Sequence, residues 1–213
     1  MSIPNPPPPI PRKESLALSE LLRPLSTEIR MKSKERIVLN ADMDFEKRKL
    51  YVLTEGETGL YRGVDNLLVT NSKPVTIFGI SEMFVPFNHN YIRMEKDCTF
   101  LVIHAPDVVQ TLDSHNAWHM TTKILSHYVQ HLMYRDARLI GQNAYNMVKS
   151  FIYDYEKLSP ELKAGRSLSN HIMEKTSLSR TIITNIISDL NKGGYIEVNK
   201  GRLIRINKLP DRY

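Results

Sequence analysis

The stretch from Ser167 to Ile206 constrains this chain more than any other. Ser167-Leu168-Ser169 opens a helix running to about Lys175, the serines offering oxygens to the unpaired N–H groups of its first turn. Thr176-Ser177-Leu178 is a short turn. Ser179 then caps a second helix that runs through Asn191. In it Ile182, Ile183, Ile186, Ile187 and Leu190 make one apolar stripe at three- and four-residue steps. The opposite face carries Thr181, Thr184, Asn185 and Ser188, flanked by Arg180. Gly193-Gly194 ends the helix, where a left-handed residue is needed. Residues 195–198 and 202–206 then alternate apolar and polar around Asn199-Lys200-Gly201, the pattern of a hairpin.

Helix, three-residue turn, helix and basic-tipped hairpin predict a winged helix-turn-helix. A helix with short polar side chains near its start can enter the major groove of double-stranded DNA. Arg180 can reach a guanine edge or a phosphate, and Ser179, Thr181, Thr184, Asn185 and Ser188 can contact bases or backbone. Lys200 and Arg202 at the wing tip would meet phosphates. Charge agrees with this. The chain carries 29 Lys and Arg against 23 acids, a net +6. From residue 166 to the end, nine basic residues face four acids, so +5 of that charge lies in the last 48 residues. The alternative is a ligand-binding or protein-interaction module whose winged helix does not read DNA.

The rest of the chain has a different texture. Residues 1–12 hold six prolines and read as an extended, disordered tail. Residues 13–25 read as a short amphipathic helix with Leu16, Leu18, Leu21, Leu22 and Leu25 on one side. Seven short β-rich runs follow, at 36–39, 50–54, 59–62, 67–70, 75–78, 91–95 and 99–103. Turn signals separate them: Glu55-Gly56, Val64-Asp65-Asn66, Asn71-Ser72-Lys73-Pro74 and Asn88-His89-Asn90. Gly56, Gly59, Gly63 and Gly79 suit tight corners, and the whole predicts a sandwich, roll or barrel. Residues 107–112 begin a helical half, and 116–139 make a long helix. Its seam of Leu125, Tyr128, Val129, Leu132, Met133 and Leu139 predicts a homodimer. A further helix over 143–158 turns Val148, Phe151, Ile152 and Tyr155 inward.

Several functions find no footing. No apolar run approaches the ~20 residues of a membrane-spanning helix, and the basic-then-apolar layout of a signal peptide is missing, so a cytoplasmic protein is expected. One cysteine excludes an intramolecular disulfide and thiolate-rich metal sites. No nucleophile elbow, Walker loop or zinc-protease helix occurs, so no enzyme is expected. His115 with His119, and His127 with His131, are spaced one helical turn apart, which keeps a haem or metal sensor as a rival. With no further ligand evident beyond Asp113, they read as surface or interface histidines, and no cofactor or metal is expected. Cys98, between Asp97 and the last expected strand, reads as a buried structural thiol.

Roll, long helix and terminal winged helix, in that order, resemble the cyclic AMP receptor protein/FNR-like superfamily of bacterial regulators. Leu178-Ser179-Arg180, the isoleucine-rich helix and the Gly-Gly hairpin look like its recognition segment. Leu139-Ile140-Gly141-Gln142-Asn143, Val198-Asn199-Lys200-Gly201 and Ile206-Asn207-Lys208-Leu209-Pro210 resemble a smaller enterobacterial family, the inhibitors of hydrogen peroxide resistance. The resemblance implies an α+β chain with a cyclic-nucleotide-binding-like β-roll at 13–115, a dimerisation helix at 116–140 and a winged DNA-binding domain at 141–213. It implies a transcription regulator of the oxidative-stress response, with DNA and a second copy as partners and RNA polymerase as a further candidate.

The departures are informative. The superfamily's nucleotide cassette needs a glutamate after its glycine and an arginine for the cyclic phosphate. Here Ile80 follows Gly79, residues 86–91 contain no arginine, and Arg93 falls in an expected strand. A phosphate buried without a partner would be costly, so no cyclic AMP binding is expected. Cys98 is alone, which excludes cluster-based oxygen sensing; the resemblance to the peroxide-resistance family suggests it as a peroxide-responsive thiol. Thr181 and Asn185 replace the acidic and second basic positions of the superfamily's recognition helix, so a different operator is expected.

Overall fold

The computed structural model describes residues 7–39, 44–85 and 90–211. It divides into two compact units, residues 7–132 and residues 133–211. Residues 1–6, 40–43, 86–89 and 212–213 lie outside the described residues, and with them the expected tail at 1–6 and the turn signal Asn88-His89.

The first unit begins with helix α1 (Arg12–Leu22), followed by a single 3₁₀ turn, Arg23–Leu25. Eight strands follow: β1 (Thr27–Met31), β2 (Arg36–Val38), β3 (Lys49–Glu55), β4 (Thr58–Arg62), β5 (Leu68–Ser72), β6 (Thr76–Phe78), β7 (Asn90–Met94) and β8 (Cys98–His104). They form two four-stranded antiparallel sheets, ordered β1-β8-β3-β6 and β2-β7-β4-β5. Helices α2 (Ala105–Ser114) and α3 (Trp118–Leu139) complete the unit, the last turns of α3 passing into the second.

Period-two alternation decides which core each residue enters. In β3 and β8, Leu50, Val52, Leu101 and Ile103 turn to one side and pack with Leu18, Leu22, Val108, Leu112 and Ile124 of the helices. Tyr51, Leu53, Cys98 and Phe100 turn to the other and pack with Ile37, Ile92 and Met94 of the facing sheet. The first sheet is therefore buried on both faces, which explains why β8 is an almost unbroken apolar run.

All seven expected strands are present, with ends shifted by one or two residues. β1 is an addition. Only Ile29 and Met31 of its five residues point inward, and Glu28 and Arg30 face solvent, so its apolar signal is thin. Four expectations need correcting. Leu16 and Leu25 are exposed, because only Leu18, Leu22 and partly Leu21 lie on the face that α1 turns to the sheet. Gly59 is inside β4 rather than at a corner, where a Cβ would stand 2.5 Å from the Tyr61 ring. Asn71 and Ser72 belong to β5, and α2 runs beyond the expected 107–112.

In the second unit, α4 (Ala144–Glu156), the short α5 (Pro160–Ala164), α6 (Leu168–Met173) and α7 (Arg180–Lys192) precede the hairpin β9 (Ile196–Asn199) and β10 (Arg202–Ile206). Asn143 caps α4 by accepting from the Asn146 N–H at 2.8 Å. The four residues expected inward, Val148, Phe151, Ile152 and Tyr155, are all buried, against Ile172, Ile183, Ile186, Leu190, Ile196 and Leu203. Buried Arg138, in the last turn of α3, pairs with Asp154 at 2.8 Å and donates to the Ser150 carbonyl at 2.9 Å.

Candidate nucleic-acid interface

The second unit builds a reading head from local rules. Ser167 caps α6, accepting from the Asn170 N–H at 3.2 Å. Thr176 holds the turn, donating to the Ile172 carbonyl at 3.0 Å. Ser179 caps α7, accepting from the Ile182 N–H at 3.3 Å. The far end of α7 is a Schellman closure: the Tyr195 N–H donates to the Leu190 carbonyl at 2.9 Å and the Gly194 N–H to that of Asn191 at 3.1 Å. Gly194 supplies the positive φ of +71°, while Gly193 stays right-handed at −74°. The wing turns on Lys200-Gly201, both at positive φ, as a two-residue type I′ hairpin requires.

Two hydrogen bonds fix the wing against the helices. The Asn191 side-chain oxygen accepts from the Val198 N–H at 2.9 Å. The Leu168 N–H donates to the Gly201 carbonyl at 2.8 Å. Between α6, α7 and the wing lies a cleft of ≈ 240 Å³, lined among others by Ser169, Thr184, Ser188 and Val198.

The outward face of α7 follows the periodicity of the sequence. Thr181, Thr184 and Asn185 are exposed, Ser188 is half-buried at the cleft, and exposed Arg180 reaches Asn170 Oδ1 at 3.4 Å. Ile182 is a correction. It is 42% exposed, at the edge of the stripe that Ile183, Ile186 and Leu190 bury. At the wing, Lys200 is exposed at the tip, whereas Arg202 donates to the Ala164 carbonyl at 2.9 Å and so also braces the fold. Sequence reasoning passes over Lys192 and Lys208 as site residues, although both are exposed on the same basic unit. Arg166 is tied to Glu174 at 3.0 Å, and Arg205 lies 3.7 Å from Glu197, which softens their share of the charge.

The residues expected at a dimer seam divide. Leu125, Val129 and Leu132 are exposed, as is Met133, one helical turn apart or nearly so. Tyr128 instead packs on its own unit, donating to the Ile77 carbonyl at 2.6 Å, and burial raises its phenol pKa. Leu139 packs against the core of the second unit.

Ile80 and Met83 are buried in the core that the helices cover. Arg93 lies 4.2 Å from the Tyr61 ring centre and pairs with Glu95 at 2.8 Å, which also accepts from the Tyr61 hydroxyl at 2.8 Å. Cys98 is 3% exposed, its thiol near the Lys96 and Glu57 carbonyls at 3.2 and 3.4 Å. Burial pushes its pKa up, and Lys96 pairs with Glu57 rather than with the thiol. The His127 and His131 rings are 6.1 Å apart, and no cluster of three or more metal-ligating side chains occurs among the described residues.

Residues 144–211 match a family described as winged helix-turn-helix DNA binding. The chain is 26% identical over 204 residues to the inhibitor of hydrogen peroxide resistance of Escherichia coli (strain K12), spanning 95% of this chain and 97% of that protein. Its structure superposes on that of the c-di-GMP-responsive global regulator CLP of Xanthomonas campestris with a TM-score of 0.72, at 13% identity, covering 91% of this chain and 100% of the other. A CRP/FNR-family transcriptional regulator of Thermus thermophilus gives 0.57 at 17% identity, over 83% and 92%. The fold is that of the CRP/FNR-like regulators. The winged helix-turn-helix of this regulator fold ends the chain, and the similarity to the peroxide-resistance inhibitors runs along nearly all of it. No helix among the described residues is long and apolar enough to cross a membrane.

Proposed function

We propose that this chain is a cytoplasmic, homodimeric, sequence-specific transcription regulator that acts in the response to hydrogen peroxide and needs no cyclic AMP. The observation that carries this reading is α7. Its apolar stripe is anchored, its ends are capped by Ser179 and Gly194, and it presents Arg180, Thr181, Thr184 and Asn185 outward beside a braced wing. Lys200 and Arg202 would meet phosphates on either side of the groove that α7 enters. The exposed apolar positions Leu125, Val129 and Leu132 support pairing of two copies along α3, which would set two recognition helices about one DNA turn apart. The peroxide role rests on the names of the relatives. Independence from cyclic AMP rests on Ile80 in the core and on Arg93 held by Glu95 and Tyr61. A regulator of this kind acts through RNA polymerase, by touching it or by covering its site.

The test is fluorescence anisotropy with duplex fragments of the host genome at two salt concentrations, for wild type and Arg180→Ala. Tight binding to few fragments, weakened by salt and by about tenfold in the variant, is expected. Binding that ignores both sequence and salt would favour a protein-interaction role for the winged unit.

A further inference from the structure

Several polar side chains of α7 are already engaged within the unit. The Thr184 hydroxyl donates to the carbonyls of Arg180 at 2.9 Å and Thr181 at 3.1 Å. The side-chain oxygens of Ser179 and Asn191 accept backbone N–H groups. Ser188 is half-buried in the cleft against the wing. Arg180 is drawn toward Asn170. Asn185 is the exposed primary amide of this face. It stands one helical turn after Thr181 on the side away from the Ile183–Ile186–Leu190 stripe, and no described residue engages its amide.

A primary amide holds one acceptor and one donor side by side. In the major groove only adenine offers the matching pair, N7 as acceptor and the N6 amine as donor. Guanine presents two acceptors, which would set the amide oxygen against an oxygen or a nitrogen lone pair. Cytosine gives one donor, and thymine one acceptor beside a methyl group. The short reach of asparagine requires the helix to come close to the base edge. The small neighbours Thr181, Thr184 and Ser188 permit that approach. We propose that Asn185 reads an adenine in each half-site, bonding N6 and N7 together. This inference rests on the reading of α7 as the recognition helix.

The amide is uncharged, so its contribution separates from that of the basic residues. Asn185→Ala keeps the number of phosphates neutralised, and the slope of log affinity against log salt stays as in wild type. The variant should also fold, because the side chain is exposed and alanine favours helix.

The experiment starts by selecting duplexes from a random pool with the full wild-type chain. The enriched half-site is then synthesised with 7-deaza-2′-deoxyadenosine, which lacks the N7 acceptor, at each adenine in turn. At one adenine the replacement should weaken wild type by about tenfold, the scale of one base-specific pair, and leave Asn185→Ala unaffected. An enriched sequence whose adenines can all be replaced without loss would overturn the inference and leave the regulator reading standing. Equal losses in wild type and Asn185→Ala at every adenine would overturn it too. A pool from which nothing enriches would overturn both.

Discussion

The two units treat their polar side chains in opposite ways. In the β-roll, several polar side chains are engaged within the chain: Arg93 by Glu95 and Tyr61, Tyr128 by the Ile77 carbonyl, Arg48 by the carbonyls of Met83 and Phe84. In the winged unit, α7 and the wing tip leave Arg180, Thr181, Asn185 and Lys200 facing solvent. A group already bonded gives a ligand little, since each new bond must replace an old one. The contrast teaches that these side chains of the roll already have partners within the chain, while those on α7 and the wing tip meet solvent.

The largest effect that would break the comparison is loss of the roll's filling. Phe100→Ala, at a fully buried position between the sheets, should cost about 3–5 kcal/mol in urea unfolding. A cost below about 1 kcal/mol would mean that the interior is not packed as described. Next comes pH. His171 is wholly buried in the winged unit, with neither ring nitrogen hydrogen-bonded, and burial foremost lowers its pKa to about 2. The unfolded histidine takes up a proton near pH 6.5, and the folded one does not. Folding therefore weakens as pH falls below about 6.5 toward 2. His171→Leu should flatten that part of the stability profile of the winged unit, and an unchanged slope would refute the assignment. Gly194→Ala, at φ +71°, should destabilise by about 1 kcal/mol through the Schellman closure and is read as a lowered urea midpoint. The smallest expected effect is none at all. Cys98→Ser should leave the peroxide sensitivity of DNA binding as it is, because the buried, pKa-raised thiol lacks thiolate character. Lost sensitivity would make Cys98 the sensor.

The same contrast explains what can be read from the sequence. The winged unit is assembled from short-range devices, each with its own residue signature: serine caps, a glycine closure, a two-residue turn, a stripe at helical period. Within the α7 stripe the misplaced residue is Ile182, at the edge, where spacing alone does not separate buried from exposed. The roll depends on long-range pairing. Its strands are visible because β-branched and aromatic residues cluster between turns. Their order in two sheets is not, because β1 pairs with β8, about 70 residues away. Tyr128 shows the same limit. Its spacing on α3 fits the seam of Leu125 and Leu132, yet the pull of the Ile77 carbonyl and of the core beneath turns it inward. The bracing of Arg202 by Ala164 likewise depends on where α5 ends, which no pattern around Arg202 reveals.

The open reading head and the filled roll meet in one measurement: anisotropy of a selected duplex against a scrambled one, with and without saturating cyclic AMP. Tight binding of the selected duplex alone, unchanged by the nucleotide, is the expected result. Selective binding that appears only when cyclic AMP is added would contradict the account, in which Ile80 is buried in the core and Arg93 is paired with Glu95.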